Sequence, residues 1–437
     1  MRPESSCCES TRPVNRRPCL AAAALGISIL VRLLWALFGP DKLTLVDLHV
    51  YVDGSAQLFG GHLYDWTESS RSPQFPLPFI YPPFAALILY PLHFLPFDVV
   101  ALGWLSATVA ALFGVVWLSL EMLVGKDAMR EPNWRTAAVG WTAAGMWLEP
   151  VRSTLDYGQV NVFLVLLVML AARSTRWWVS GLLVGLAAGV KLTPAVTGLH
   201  FAARRQWLAA IGSAVAFAAT IAVTFVLVPR ATGRYFGTLP GDRRRPLPVG
   251  SVINQSLRGA LGRLVGHDIG SGPLWAAAVL ATALLAFFAW RALASDDRLG
   301  TLLIVQLFAL LASPISWSHH WVCLIPLILW LRHGPLRATA GARLMAAYWL
   351  FVTVIGVPWM LGTLQKSMWD LSRPGYLSWL GTVYASGALA LFAWMILAGR
   401  FRRVGIGRFS PARAADRSPG PAPHPVPSVR RRSASRV

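Results

Sequence analysis

Long apolar blocks alternate with short polar joints along this chain. Ten blocks read as membrane helices: 19–38, 98–124, 136–151, 160–172, 177–190, 207–228, 274–293, 299–313, 343–361 and 379–398. The block 207–228 (WLAAIGSAVAFAATIAVTFVLV) reaches the ~20 residues that one helical crossing of a bilayer requires. Two shorter apolar pieces, 193–203 and 319–331, bring the scheme to about twelve spans. A further piece, 82–96 (PPFAALILYPLHFLP), is short and broken by prolines, so a helix lying on the membrane surface is expected there. The pattern predicts an all-α polytopic membrane protein.

Basic residues orient the array. With both termini inside, Lys126, Arg130 and Arg135 fall on the cytoplasmic side, as do Arg173 with Arg176, Arg204 with Arg205, Arg291 with Arg298, and Arg332 with Arg337. The polar segments 39–81, 152–159, 229–273, 314–318 and 362–378 then face out. A rival arrangement makes 82–96 a span and fuses 177–200, but it moves two basic loops outside. Seven arginines in 229–273 do not upset the orientation, because long loops cross largely regardless of charge.

Composition agrees with this picture: 55% of the residues are hydrophobic, only 14% are charged, and the mean hydropathy is +0.53. A net charge of +21 would suit a nucleic-acid partner, yet ten arginines and one aspartate sit in the tail 400–437 and others flank apolar blocks. That distribution fits cytoplasmic ends facing anionic membrane lipids, so no nucleic-acid partner is expected. The expected organisation is a cytoplasmic leader at 1–18, a membrane domain at 19–398 and a disordered basic tail at 399–437. The leader resembles a signal peptide but lacks a small-residue cleavage site, so an uncleaved first span follows. Four cysteines show neither metal spacing nor a disulfide framework.

Candidate chemistry gathers on the outer side. Asp47 follows the first span within an apolar run (Leu45, Val46, Leu48), where desolvation can raise a carboxylate toward a working base. It could equally cap a helix or be a solvated loop acid; Asp53 and Asp65 have weaker cases. Lys191, one of four lysines, lies within an apolar block. It is either functional or a side chain snorkelling to the surface. Arg258, in the long outer loop, is a second cationic candidate or a solvated loop arginine. His319 and His320 open a short helix. As neighbours they project about 100° apart, which rarely suits a shared metal and leaves satisfied interfacial histidines or hydrogen-bonding groups of a site as the two readings. Asp156, Tyr157, Gln159 and Asn161 form a polar cluster that either binds a polar ligand or caps two helices. No Asp-x-Asp motif occurs, so the paired carboxylates that would hold a divalent metal around a diphosphate are not in view. No metal and no cofactor are expected.

Asp-x-x-x-Tyr (Asp47 to Tyr51), Gly-x-Leu-Tyr (Gly61 to Tyr64) and Tyr-Pro-Pro (Tyr81 to Pro83) together resemble the GT-C superfamily of membrane glycosyltransferases. RSTLDYGQVN at 152–161, GLAAGVKLTP at 185–194, NQSLRG at 254–259 and SPISWSHHW at 313–321 are similar to one branch of it. That branch, glycosyltransferase family 87, includes polyprenol-phosphate-mannose-dependent α-1,2-mannosyltransferases of phosphatidylinositol mannoside synthesis. The resemblance implies a GT-C-type fold with a large first outer loop carrying surface helices, and an active site on the outer side of the plasma membrane. It implies a polyprenyl-phosphate mannose donor, a phosphatidylinositol mannoside acceptor and inversion at the anomeric carbon. Inversion requires one base, and the family role falls on Asp47. Lys191, Arg258, His319 and His320 are then expected at the donor and its phosphate. Tyr51, Tyr81, Asp156, Tyr157, Gln159, Asn161, Asn254 and Gln255 are expected at the sugar or acceptor.

Two other readings compete. A related enzyme of the same fold would act on lipomannan or arabinan. A lipid-linked sugar flippase or transporter would instead show two similar halves with broken helices in matching positions. No internal repeat is visible, and the candidate residues cluster on one side.

Overall fold

The computed structural model of the protein describes residues 17–38, 44–71, 76–239, 248–369, 371 and 375–408. Most of the expected leader and tail, and Lys42, lie outside the described residues. Helix α1 (Arg17–Phe38) is followed by α2 (Val46–Ser55), a two-residue antiparallel pair, β1 (Thr67–Glu68) with β2 (Leu77–Pro78), and α3 (Pro83–Leu89), which runs into a 3-10 turn at Tyr90–Phe94. Then come α4 (Phe97–Val124), α5 (Pro132–Gly145), α6 (Glu149–Tyr157), α7 (Asn161–Arg173), α8 (Trp177–Val190), α9 (Thr197–Ala203), α10 (Trp207–Leu227) and α11 (Pro229–Gly233). The remainder is α12 (Leu257–Val265), α13 (Pro273–Ala292), α14 (Arg298–Ala312), α15 (Leu324–His333), α16 (Ala340–Ile355), α17 (Val357–Thr363), α18 (Gly375–Leu380) and α19 (Val383–Arg408).

Among the described residues, five helical segments are long and apolar enough to cross a membrane, and a sixth is added if α6 and α7 count as one span bent by 120°. This is a multi-pass all-α membrane protein. Shorter apolar helices, including α8, α14 and the start of α19, accompany the long ones. The expected block 136–151 does not run through. Helix α5 stops at Gly145, and α6 starts at Glu149 with Pro150 in its first turn, where a missing N–H costs nothing. The expected polar joint 152–159 is therefore mostly helical, belonging to α6.

One close helix pair fixes the position of Lys191. Gly181, Gly185 and Gly189 recur every fourth residue and so share one face of α8. A Cβ on Gly185 would lie 2.3 Å from the Ala216 Cβ of α10, and one on Gly181 would lie 2.7 Å from the Gly212 backbone. Small residues allow this approach, which in lipid replaces hydrophobic driving force with packing. Gly181 meets Gly212 while Gly189 meets Thr220, so the two helices run parallel. The 3-10 turn Thr193–Val196 and α9 carry the chain back between them.

Among the described residues two main apolar cores result, beside a small cluster of Ala171, Val184, Phe201 and Ala209. The larger gathers α4, α14, α15, α16 and α19 around Trp321, Trp330 and Trp349. The smaller packs α2 and α3 with Tyr64, Phe79, Tyr81, Val160, Leu164 and Ala187. Leu48, fully buried there, contributes roughly 1.5–3 kcal/mol by leaving water.

Candidate active site

Helix α2 is held against the bend between α6 and α7. The backbone N–H of Leu45 donates to the carbonyl of Asp156 at 2.9 Å. Gly158 ends α6 at φ 71°, a left-handed conformation that glycine adopts freely. A Cβ there would lie 2.6 Å from the Cβ of Leu48, so the side chain is excluded by packing as well as by conformation. The turn brings Gln159 to Asp47.

Gln159 is buried, and its carbonyl oxygen accepts from the Tyr51 hydroxyl at 3.0 Å. The Tyr51 and Tyr81 hydroxyls lie 3.0 Å apart, and the Tyr81 hydroxyl is 3.5 Å from the same Gln159 oxygen. With its carbonyl so occupied, Gln159 turns its amide N–H toward the Asp47 carboxylate, to which it hydrogen-bonds. Tyr64 donates to the backbone carbonyl of Tyr81 at 2.9 Å, pinning the Tyr-Pro-Pro turn in place. Asp47 is half-buried, and desolvation raises its carboxyl to about 6, against the opposing influence of Gln159 and then of Lys191.

Lys191 stands just past the end of α8, with its Nζ donating to Asn161 Oδ1 at 2.9 Å and to His320 Nε2 at 3.1 Å. It lies 5.5 Å from the centre of the Tyr81 ring. Burial draws its ammonium down to about 8, with the Asp47 charge opposing. Asn161 in turn donates to the His319 carbonyl at 2.9 Å. The His319 ring is buried, with its centroid 5.5 Å from that of Tyr157 and 6.5 Å from that of Trp317, and neither ring nitrogen has a partner. Asp47, Tyr51, Tyr81, Tyr157, Gln159, Asn161, Lys191, His319 and His320 thus form one cluster. A groove begins at Asn161, Lys191 and His320 and is otherwise lined mainly by apolar side chains, among them Leu164, Val168, Pro194 and Leu310.

Four expected residues are placed elsewhere. Asp156 pairs its carboxylate with Arg32 of α1, and only its backbone carbonyl serves α2. Arg258 forms a two-pronged ion pair with Asp268 at 2.9 and 2.6 Å. Asn254 and Gln255 are fully buried, and their amides bind backbone: Asn254 to Val249, Ser256 and Ser316, Gln255 to Val252, Gly381 and Tyr384. With those groups committed, they staple loops rather than meet a sugar.

Glu149, an acid inside the apolar stretch MWLEPV and not among the expected residues, accepts hydrogen bonds from Ser318 at 2.6 Å, Tyr384 at 2.8 Å and Ser153 at 3.0 Å. Arg263, also unexpected, is buried and donates to the carbonyls of Ser251, Asn254 and Gly381, and nothing in its sequence neighbours marks it out. Among the described residues, no group of three or more His, Cys, Asp or Glu side chains could hold a metal ion.

Residues 79–314 match the model of glycosyltransferase family 87. The chain belongs to that family. It is 51% identical over 390 residues, 89% of this chain and 93% of the relative, to a protein of Mycolicibacterium smegmatis. That relative is named polyprenol-phosphate-mannose-dependent alpha-(1-2)-phosphatidylinositol pentamannoside mannosyltransferase. A Mycobacterium tuberculosis protein of the same name is 47% identical, over 90% of this chain and 91% of the relative. A second Mycobacterium tuberculosis protein, whose name specifies phosphatidylinositol mannoside rather than pentamannoside, is 33% identical over 71% of this chain and 74% of the relative. No solved structure matches the chain. The family model covers Tyr81, Gln159, Asn161 and Lys191, and begins after Asp47 and Tyr51.

Proposed function

We propose that this family 87 enzyme transfers mannose from polyprenyl-phosphate mannose to a phosphatidylinositol mannoside, in α-1,2 linkage and with inversion, at the outer face of the plasma membrane. The observation that carries the proposal is the meeting of Asp47 and Lys191. A carboxylate whose proton affinity is raised by burial and a buried ammonium share one cluster, beside a groove lined mainly by apolar side chains. The acceptor is taken as the pentamannoside, following the names of the two most similar relatives described above. Lipomannan and arabinan acceptors are the alternatives that an acceptor panel separates.

In this reading the donor's polyprenyl chain lies in the groove and its phosphate meets Lys191 and His320. The acceptor hydroxyl oxygen attacks the anomeric carbon from the face opposite the phosphate. As the new C–O bond forms, the bond to the phosphate oxygen breaks and the proton passes to Asp47. Polyprenyl phosphate leaves with the electron pair, its added charge met by the Lys191 ammonium. Tyr51, Tyr81 and Gln159 hold the base, and His319 and Tyr157 face the sugar. No metal is required, because a single phosphate is neutralised by side chains. In the membrane, about twelve spans with both termini inside would place α2 and α3 as surface helices of a large first outer loop.

The test is Asp47→Asn, assayed in membranes with radiolabelled polyprenyl-phosphate mannose and a panel of acceptors. The variant keeps the shape of the site and loses only the proton acceptor. Turnover is expected to fall at least ~10²-fold while the donor Michaelis constant changes little. Retention of more than about a tenth of turnover would remove Asp47 as the base. Transfer only to lipomannan or arabinan would replace the acceptor.

A further inference from the structure

We propose that the cavity between the α9–α10 turn and the α13–α14 turn binds the phosphate of an anionic phospholipid. This cavity, about 180 Å³, is lined by Ala203, Arg204, Trp290, Arg291, Leu293, Ala294, Ser295 and Thr301. It lies at the end of the bundle away from Asp47. Helix α8 ends at Lys191, and α10, which runs parallel to it, starts only after the chain has returned through α9.

Its chemistry is that of an anion site. Two of its walls are guanidinium groups. Arg204 is anchored by Nη1, which donates to the Ser295 carbonyl at 3.1 Å, while its Nε is buried without a partner. The Arg291 guanidinium lies 5.9 Å from the Trp290 ring centre, which orients it beside the same opening. Thr301 sits in the first turn of α14, whose N-terminal end carries the positive pole of the helix dipole. Among the described residues, no carboxylate lines the cavity. The acids nearby are Asp297, whose oxygens already accept from the Gly300 N–H and Trp330 Nε1, and the exposed Asp296, with Arg298 adding positive charge.

The level of the cavity points to a lipid rather than a solute. Arg291 lies in the last turn of the apolar helix α13, and Arg204 precedes the apolar helix α10 by three residues. Trp207 and Leu208, beside it in sequence, are each 60% exposed, as suits side chains at a membrane interface. A headgroup phosphate at that depth would tie the two turns together.

The experiment uses the full chain in phosphatidylcholine nanodiscs, with phosphatidylglycerol titrated in and bound lipid counted by native mass spectrometry. A parallel arm adds inorganic phosphate. One phosphatidylglycerol is expected to be retained and to raise the thermal midpoint of the wild type. Arg204→Gln and Arg291→Gln should each weaken retention about fivefold, and the double variant about 25-fold, at roughly one surface arginine's attraction each. Arg343→Gln, on α16, serves as a control and should leave retention unchanged. Equal retention by all variants, or an equal loss in the Arg343→Gln control, would overturn the site. Protection by inorganic phosphate alone would overturn the lipid. If a variant does not fold, the wild-type preference for phosphatidylglycerol over phosphatidylcholine in the melting assay decides, and its absence sinks the proposal.

Discussion

Replacing Gly158 by alanine perturbs the active site without touching any side chain proposed to contact substrate. The added Cβ would lie 2.6 Å from the Cβ of Leu48, which is buried and rigidly attached to the α2 backbone, and 3.5 Å from the Leu48 N–H nitrogen. Ordinary contact begins near 3.4 Å, so the two segments must part by about 0.8 Å. That displacement opens the gap between Gln159 and Asp47, the residue immediately before Leu48. A misplacement near 1 Å costs about 10²-fold in rate when reacting groups are preorganised. Holding alanine at φ 71° adds roughly 1–2 kcal/mol of strain. Turnover by Gly158→Ala is therefore expected to fall about 10²-fold, with a modest loss of thermal stability and a small change in donor affinity. Gly158→Asn separates the two causes, because asparagine tolerates the left-handed conformation but still carries the clashing Cβ. Gly198→Ala is the control, since a Cβ there meets nothing within 4 Å and α9 has ordinary helical geometry. The measurement is radiolabelled mannosyl transfer at saturating donor, normalised to folded protein by size-exclusion chromatography. A Gly158→Ala protein that folds and keeps more than half of wild-type turnover would refute this account of how Asp47 is positioned.

Three further outcomes follow from the same cluster. The pH profile of kcat/KM should rise through about 6 as Asp47 loses its proton and fall above about 8 as Lys191 loses its charge; Lys191→Arg should abolish the alkaline limb if it retains activity. A profile flat between pH 5 and 7 would exclude Asp47 as the titrating base. Chelation by EDTA should leave transfer unchanged, and a loss restored by Mn²⁺ or Mg²⁺ would show that a metal site has been missed. A reporter fused after Arg403 should read cytoplasmic and one near Gly241, outside the described residues, should read external; finding both on one side would overturn the outer-face site.

Much of the helix array was legible because apolar blocks of full span length leave no other fold. The block 207–228 became α10 almost residue for residue, and 82–96 became a short helix and a turn because its prolines stop a longer one. The break at 146–148 was less legible. Met146, Trp147 and Leu148 carry the apolar run on past Gly145, and only Glu149 with Pro150 marks the new start. In the site, Asp47, Lys191 and the Gln159–Asn161 pair stood out as polar groups in apolar surroundings, and those meet. Arg258 also stood out, but the Asp268 carboxylate ten residues on takes up its guanidinium. Asn254 and Gln255 stood out as well, but what decides their role is whether backbone groups of distant segments use up their hydrogen bonds. Gly381 and Ser316, the partners in question, are far away in the chain, and no local pattern announces them.

The bend at Gly158 also explains how a base and a cation supplied by distant segments can be held in register. Gln159, one residue past the bend, touches Asp47, and Asn161, two residues further on, holds Lys191. The Asp47 carboxylate and the Lys191 ammonium are thus linked through three consecutive residues of backbone. In the proposed displacement at one carbon, the proton acceptor and the group that meets the phosphate must keep a fixed relation, and Gln159 and Asn161 supply that link.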